Sequence, residues 1–229
     1  MGTFNGFPPS VFQFLAELEA NNDKDWFDAN RDRYESEVRS PALEYIAAMQ
    51  GPIEKISSHF RVEPKKVGGS LMRVHRDTRF SKDKTPYKTN IGIQFRHEAG
   101  KDVHAPGFYL HISPEECFVA AGVWHPAGED LAAIRKAIIK HSKDWKAAVS
   151  DAKFVKRFAL TGDSLKRSPR GIDPDHPLID DLKRKDFIGL SNFEPGLVTS
   201  PKFVNETAKA FKSADRLMAF LCSALSIKY

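Results

Sequence analysis

Cysteine is scarce: only Cys117 and Cys222 occur among 229 residues, far apart and in no C-x-x-C pair. That excludes a disulfide framework and a zinc ribbon. The chain also lacks an apolar run approaching about 18 residues, and its opening MGTFNGFPPS has no apolar h-region, so neither a membrane span nor a secretory signal is expected and the cytoplasm is the expected location. Internal repeats and low-complexity runs are missing too, and 41% hydrophobic residues with 17 phenylalanines provide for a well-filled interior. Gly68-Gly69-Ser70 is followed by no Gly-Lys-Ser/Thr, so it is not a phosphate-cradling Walker loop. His97, His104 and His111 match no metal-ligand spacing, and no cofactor or metal is indicated.

Charge is present but unevenly spread. The net charge is +5, yet residues 65–88 hold Lys65, Lys66, Arg73, Arg76, Arg79, Lys82, Lys84 and Lys88 against Asp77 and Asp83. Residues 17–54 lean the other way, with ten carboxylates and four basic groups. An acidic front and a basic middle point to a localised anion site, to mutual docking, or to both.

Periodicity divides the chain into a helical front (8–60), a β-meander (70–124) and a helical, proline-rich remainder (127–229), with no linker that separates domains across 1–229. Val11, Phe14, Leu15 and Leu18 have helical spacing, Asn22 or Asp23 can cap the next helix, and Pro41 opens a third that Gly51-Pro52 kinks or splits. The period then switches to two. Met72 and Val74 alternate with Arg73 and His75; Ile91, Ile93 and Phe95 with Gly92, Gln94 and Arg96; Phe108, Leu110 and Ile112 with Tyr109 and His111. Residues 116–123 add a further strand. The stretch 160–199 reads as mostly loop with a short helix near 177–184, and Val204 to Leu225 as a core-facing C-terminal helix. The fold class is therefore α+β: an antiparallel meander of about four or more strands, with one apolar face packed by N- and C-terminal helices. Trp26 and Trp124 are expected in the core.

The segment Arg73-Val-His-Arg76-Asp77-Thr-Arg79-Phe80-Ser-Lys-Asp83-Lys84-Thr-Pro-Tyr87-Lys88 carries the chemistry. Guanidinium forks match carboxylate and phosphate oxygens, so Arg73, Arg76 and Arg79, leaving a strand and entering a turn, form a candidate anion site with Lys84 and Lys88. Asp77, Asp83 and Phe80 would support it, and His75 or Tyr87 would carry a proton if chemistry occurs. The blander alternative is a solvated hairpin whose Arg and Asp residues merely pair. The polar side of the meander, with Arg73, His75, Gln94, Arg96, Tyr109 and His111, could share a cleft with this segment.

At these residues the chain resembles the bacterial and fungal family catalogued as domain of unknown function 2461. Its hallmark is R-x-x-R-D-x-R-F followed by an acidic residue, Lys and Tyr. Here those positions are Arg73, Arg76, Asp77, Arg79, Phe80, Asp83, Lys84 and Tyr87. Trp26-Phe27 with Asn30, and Gly122-Val123-Trp124-x-Pro126, are also similar, so the resemblance extends over nearly the whole chain. It implies a shared motif rather than a particular activity.

Three functions stay open. A small phosphate- or carboxylate-bearing ligand comes first, with or without catalysis. A nucleic-acid-binding module comes second, motivated by the basic segment, an isoelectric point near 9.1 and the aromatics Phe80, Tyr87 and Trp124. A non-catalytic interaction protein comes third, with a structural Arg/Asp motif and a protein partner the residues do not name.

Overall fold

The computed structural model describes residues 4–100 and 104–229; the ends of the predicted 1–229 unit at residues 1–3, and residues 101–103 of the predicted meander, lie outside the described residues. Helix α1 (Ser10–Ala20) buries Val11, Phe14, Leu15 and Leu18, the stripe its spacing predicts. Helix α2 (Lys24–Ala29) is capped by Asp23, whose carboxylate accepts from the Trp26 amide at 2.9 Å. Asn22 is thereby free for a longer reach: its side chain both donates to the Tyr87 carbonyl and accepts from the Tyr87 amide, each at 3.0 Å.

A short α3 (Arg31–Arg33), a π-helical stretch (Tyr34–Arg39) and α4 (Ser40–Glu54) follow without interruption. Pro41 therefore does not open a separate helix. It lacks the N–H that would bond the Glu37 carbonyl, and the wider π turn lies just ahead of it. Helix α4 continues through Gly51-Pro52 and ends at Glu54, short of Ile56 and Phe60.

Strands β1 (Ile91–Arg96), β2 (Gly107–Ile112) and β3 (Cys117–Val123) form the antiparallel meander. Helices α5 (Gly128–Lys140), α6 (Ser142–Val149) and α7 (Ala152–Arg157) lead to a three-residue β4 (Ala159–Thr161). Helix α8 (Ile179–Lys183) precedes β5 (Phe187–Asn192), and α9 (Pro195–Val198), α10 (Phe203–Ser213) and α11 (Asp215–Ala224) complete the chain. The fold is α+β, with a five-stranded antiparallel sheet in the order β1-β2-β3-β5-β4. The inward set Ile93, Phe95, Phe108, Leu110, Val119 and Phe187 is buried on one face, where α4 rests on β1, and α10 and α11 rest on β3.

Two strand assignments need correction. The segment around Met72 and Val74 is not a strand but two isolated bridges, Leu71↔Ile93 and His75↔Tyr87. The chain changes partner between them: the Met72 amide donates to Gly92, whereas Val74 and Arg76 exchange backbone bonds with Lys88 and Pro86. Neither ladder lasts long enough to become a strand. The sheet is instead completed from the stretch read as mostly loop, by β5 and β4. The predicted single C-terminal helix is likewise two, divided at Ala214.

Among the described residues no helix is long and apolar enough to cross a membrane.

Candidate functional site

The arginine-rich segment divides into two parts. At its tip, Arg79 makes a bidentate pair with Asp77 (Nε–Oδ1 2.9 Å, Nη2–Oδ2 2.7 Å), and Arg76 bonds both Asp83 and Thr85. Lys84 donates to the Thr78 carbonyl at 2.8 Å. The Arg79 guanidinium holds the Asp77 carboxyl well below its usual range, and the Thr85 amide, then Arg76, hold Asp83 down at about 2. These cations are thus turned to partners within their own loop, and Phe80 stands 95% exposed beside them.

At its base, Tyr87 is 4% exposed and stacks on Phe27 with centroids 4.1 Å apart, while His75 packs beside Tyr87 at 5.2 Å. The basic segment therefore docks on the acidic front through this ring pair and the Asn22 clamp. Four of the front's carboxylates, Glu17, Asp28, Glu35 and Glu37, are engaged by its own cations, as in Arg33–Glu17 and Lys24–Asp28, with Lys66–Glu35 at 3.6 Å bridging the two segments.

Arg73 and Lys88 behave differently. The side chain of neither is hydrogen-bonded or ion-paired to a described residue. Lys88 is half-buried, and burial, with Arg73 adding repulsion, lowers its pKa. Two close cations, one of them partly desolvated, are relieved by an anion.

Lys88 lines a cavity of about 490 Å³ on the sheet face turned away from the helices. Strand register explains its shape. One cross-strand row is Gln94, Tyr109, Ala120, Leu190 and Ala159; the next is Arg96, Gly107, Gly122, Ile188 and Thr161. Glycine and alanine in the middle of these rows keep the floor low, while Tyr109, Phe118, Ile188 and Leu190 rise around it. Gly122 is required there: its φ is +143°, and a Cβ would lie 1.9 Å from the Phe187 carbonyl oxygen. Met72 and Lys88 close one side and Trp124 another.

Trp124 is not a core residue as expected; it is 48% exposed and stacks with His104 and His125. The alternation carried the signal, since Val123 takes the inward side and its neighbour must face out. Behind Trp124, the buried Asp186 carboxylate accepts from the amides of His125 (2.7 Å) and Asp163 (2.8 Å), which ties β5 to both flanking loops.

Tyr109 brings a phenol hydroxyl to the cavity. Its Oη lies 3.2 Å from His111 Nδ1, and the His111 ring lies parallel to Phe118 with centroids 4.7 Å apart. Burial, followed by the Glu116 carboxylate, pushes Tyr109 up to about 12, and burial lowers His111. His97, His104 and His111 go to three separate partners: the Lys228 carbonyl, the Trp124 carbonyl and Tyr109.

A family profile described as conserved hypothetical protein (DUF2461) matches residues 10–220. The chain belongs to that family. The match takes in the arginine-rich segment and the cavity-lining strands alike, so the site lies within the part of the chain that defines the DUF2461 family. No curated protein and no solved structure matches the chain.

Proposed function

We propose that this DUF2461 chain binds a small molecule with a flat apolar body and a carboxylate or phosphate group. The body lies on the Ala120–Gly122 floor, and the anion meets Lys88 and Arg73. One observation carries the reading: Lys88, half-buried and with no side-chain hydrogen bond or ion pair to a described residue, lines the cavity, and Arg73 is close enough to repel it. An apolar concavity with a few polar groups at its rim is the usual form of a small-molecule site. Arg76, Arg79 and Lys84 then serve the loop rather than the ligand. Cys117 and Cys222 are buried free thiols, which suits the cytoplasm.

Thermal-shift measurements with benzoate, phenyl phosphate and inorganic phosphate test this. An aromatic anion at about a hundred times its dissociation constant stabilises the folded state by roughly 2.7 kcal/mol. The shift should weaken in Lys88→Met and vanish in Ala120→Phe, which fills the floor. No shift with either aromatic anion, or one that survives Ala120→Phe, sinks the reading.

A second reading, nucleic-acid binding, is favoured by Phe80, which stands 95% exposed beside Arg79 with Lys82 nearby in sequence. Bases would stack on Phe80 and phosphates would meet the lysines. Fluorescence anisotropy with short DNA and RNA should then show steep salt dependence and loss of binding in Phe80→Ala. No binding at low salt removes it.

A further inference from the structure

We propose that Tyr109 and His111 form a proton-accepting pair that takes the proton of a weakly acidic hydroxyl on the cavity's ligand, so that the ligand is held as its oxyanion. The inference rests on the cavity reading above and names the ligand chemistry and the groups that act on it.

One arrangement of protons satisfies both contacts of His111 Nδ1. Two donors converge on His111 Nδ1: Tyr109 Oη at 3.2 Å and the Asn90 side-chain amide nitrogen at 3.4 Å. An amide nitrogen only donates, so Nδ1 is the acceptor and the ring proton sits on Nε2. Tyr109 directs its own proton at the ring and is also bonded by the Asn90 side chain, which leaves one oxygen lone pair for a donor from the cavity. Gly92 makes this possible: it pairs with His111 across the strands, and a Cβ there would press within 2.9 Å of Tyr109 Oη.

The step balances. The ligand O–H bond breaks and its proton goes to Tyr109 Oη, while the Tyr109 proton passes to His111 Nδ1. A neutral ligand and a neutral imidazole become an oxyanion and an imidazolium, and Tyr109 ends as it began. Tyr109 is suited to relaying a proton rather than losing one, because burial opposes its ionisation. The two new charges each face an opposite one. His111 Nε2 lies 3.9 Å from Glu116, the charged group that acts on both ring and phenol, and the oxyanion faces Lys88 with Arg73 behind it. The parallel Phe118 ring holds the imidazole in place during the transfer.

The probe is 4-nitrophenol, whose flat ring suits the floor and which absorbs in the visible only as the phenolate. Binding is followed by calorimetry and ionisation by absorbance, on the acid side of the probe's own titration. Wild type should bind it and raise the phenolate fraction, lowering its apparent pKa by about one unit or more. Tyr109→Phe and His111→Gln, checked for folding by circular dichroism, should still bind but return the titration toward that of free probe. Lys88→Met should retain a part of the shift that depends on His111. If wild type binds the neutral phenol, or both variants ionise it as wild type does, the proton-accepting pair is wrong while the cavity reading survives. If 4-nitrophenol does not bind, or binds equally well to Ala120→Phe, both fall together.

Discussion

The loop at 76–84 and the open face of the sheet are both polar at first sight, yet they reach opposite ends. In the loop, Arg76, Arg79 and Lys84 each lie within bonding distance of an acceptor close by in the chain: Asp77 is two residues from Arg79, Asp83 seven from Arg76 and Thr78 six from Lys84. Short loops close easily, so these pairs form at little entropic cost and the charges are spent locally. On the sheet, Tyr109 and His111 are placed by strand pairing and Lys88 by its backbone bond to Val74, and no described carboxylate pairs with Lys88. A dense run of arginine is therefore weaker evidence for a ligand than a lone half-buried lysine above an apolar floor.

The sharpest way to break the contrast is to remove the floor. Gly122→Val places a side chain into the β3–β5 pairing at a backbone conformation that favours glycine, and should cost about 3 kcal/mol or more in chemical denaturation. Asp186→Ala comes next: it orphans the His125 and Asp163 amides behind the cavity, for an expected loss of roughly 2 kcal/mol. Ala120→Phe should change stability by less than about 1.5 kcal/mol, because the added ring fills empty space, yet abolish ligand-induced thermal shifts.

A pH series sharpens the picture further. Burial lowers the folded pKa of His111 from its ordinary 6.5, so the unfolded chain binds the proton more readily. Its share of stability is complete above pH 6.5 and is lost as pH falls toward the folded value, with a slope of at most about 1.4 kcal/mol per unit. Denaturation midpoints of His111→Gln should lack that component. The smallest effect belongs to the loop. Arg79→Ala, which cuts an exposed pair, should melt within experimental error of wild type and leave aromatic-anion binding unchanged. Early melting or lost binding in that variant would collapse the distinction between the two regions.

Much of the fold was legible in residue spacing. Helix α1 and strands β1 to β3 each have one buried side, and a one-sided burden leaves a clear period in the sequence. Strand β5 left none. Phe187 faces the helices and Ile188 and Leu190 face the cavity, so both sides of Phe187–Asn192 are apolar and the alternation is erased. The segment at 70–76 failed for the opposite reason: its alternation is real, but its hydrogen bonds are divided between β1 and residues 86–88. In the site, Lys88, Tyr109 and His111 could be named from the sequence, whereas Asn90, Glu116 and the small residues of the floor could not. A glycine or alanine advertises nothing until its neighbours on adjoining strands are known.

Sequence alone determined the α+β class, the inward and outward faces of the meander, and the family, because all three rest on local periodicity or on fixed residues close together in the chain. Tertiary structure alone decided which cation is satisfied within its own loop and which has no side-chain partner among the described residues. Hydrogen bonds and ion pairs act over a few ångströms, and those separations are set by strand register and loop closure.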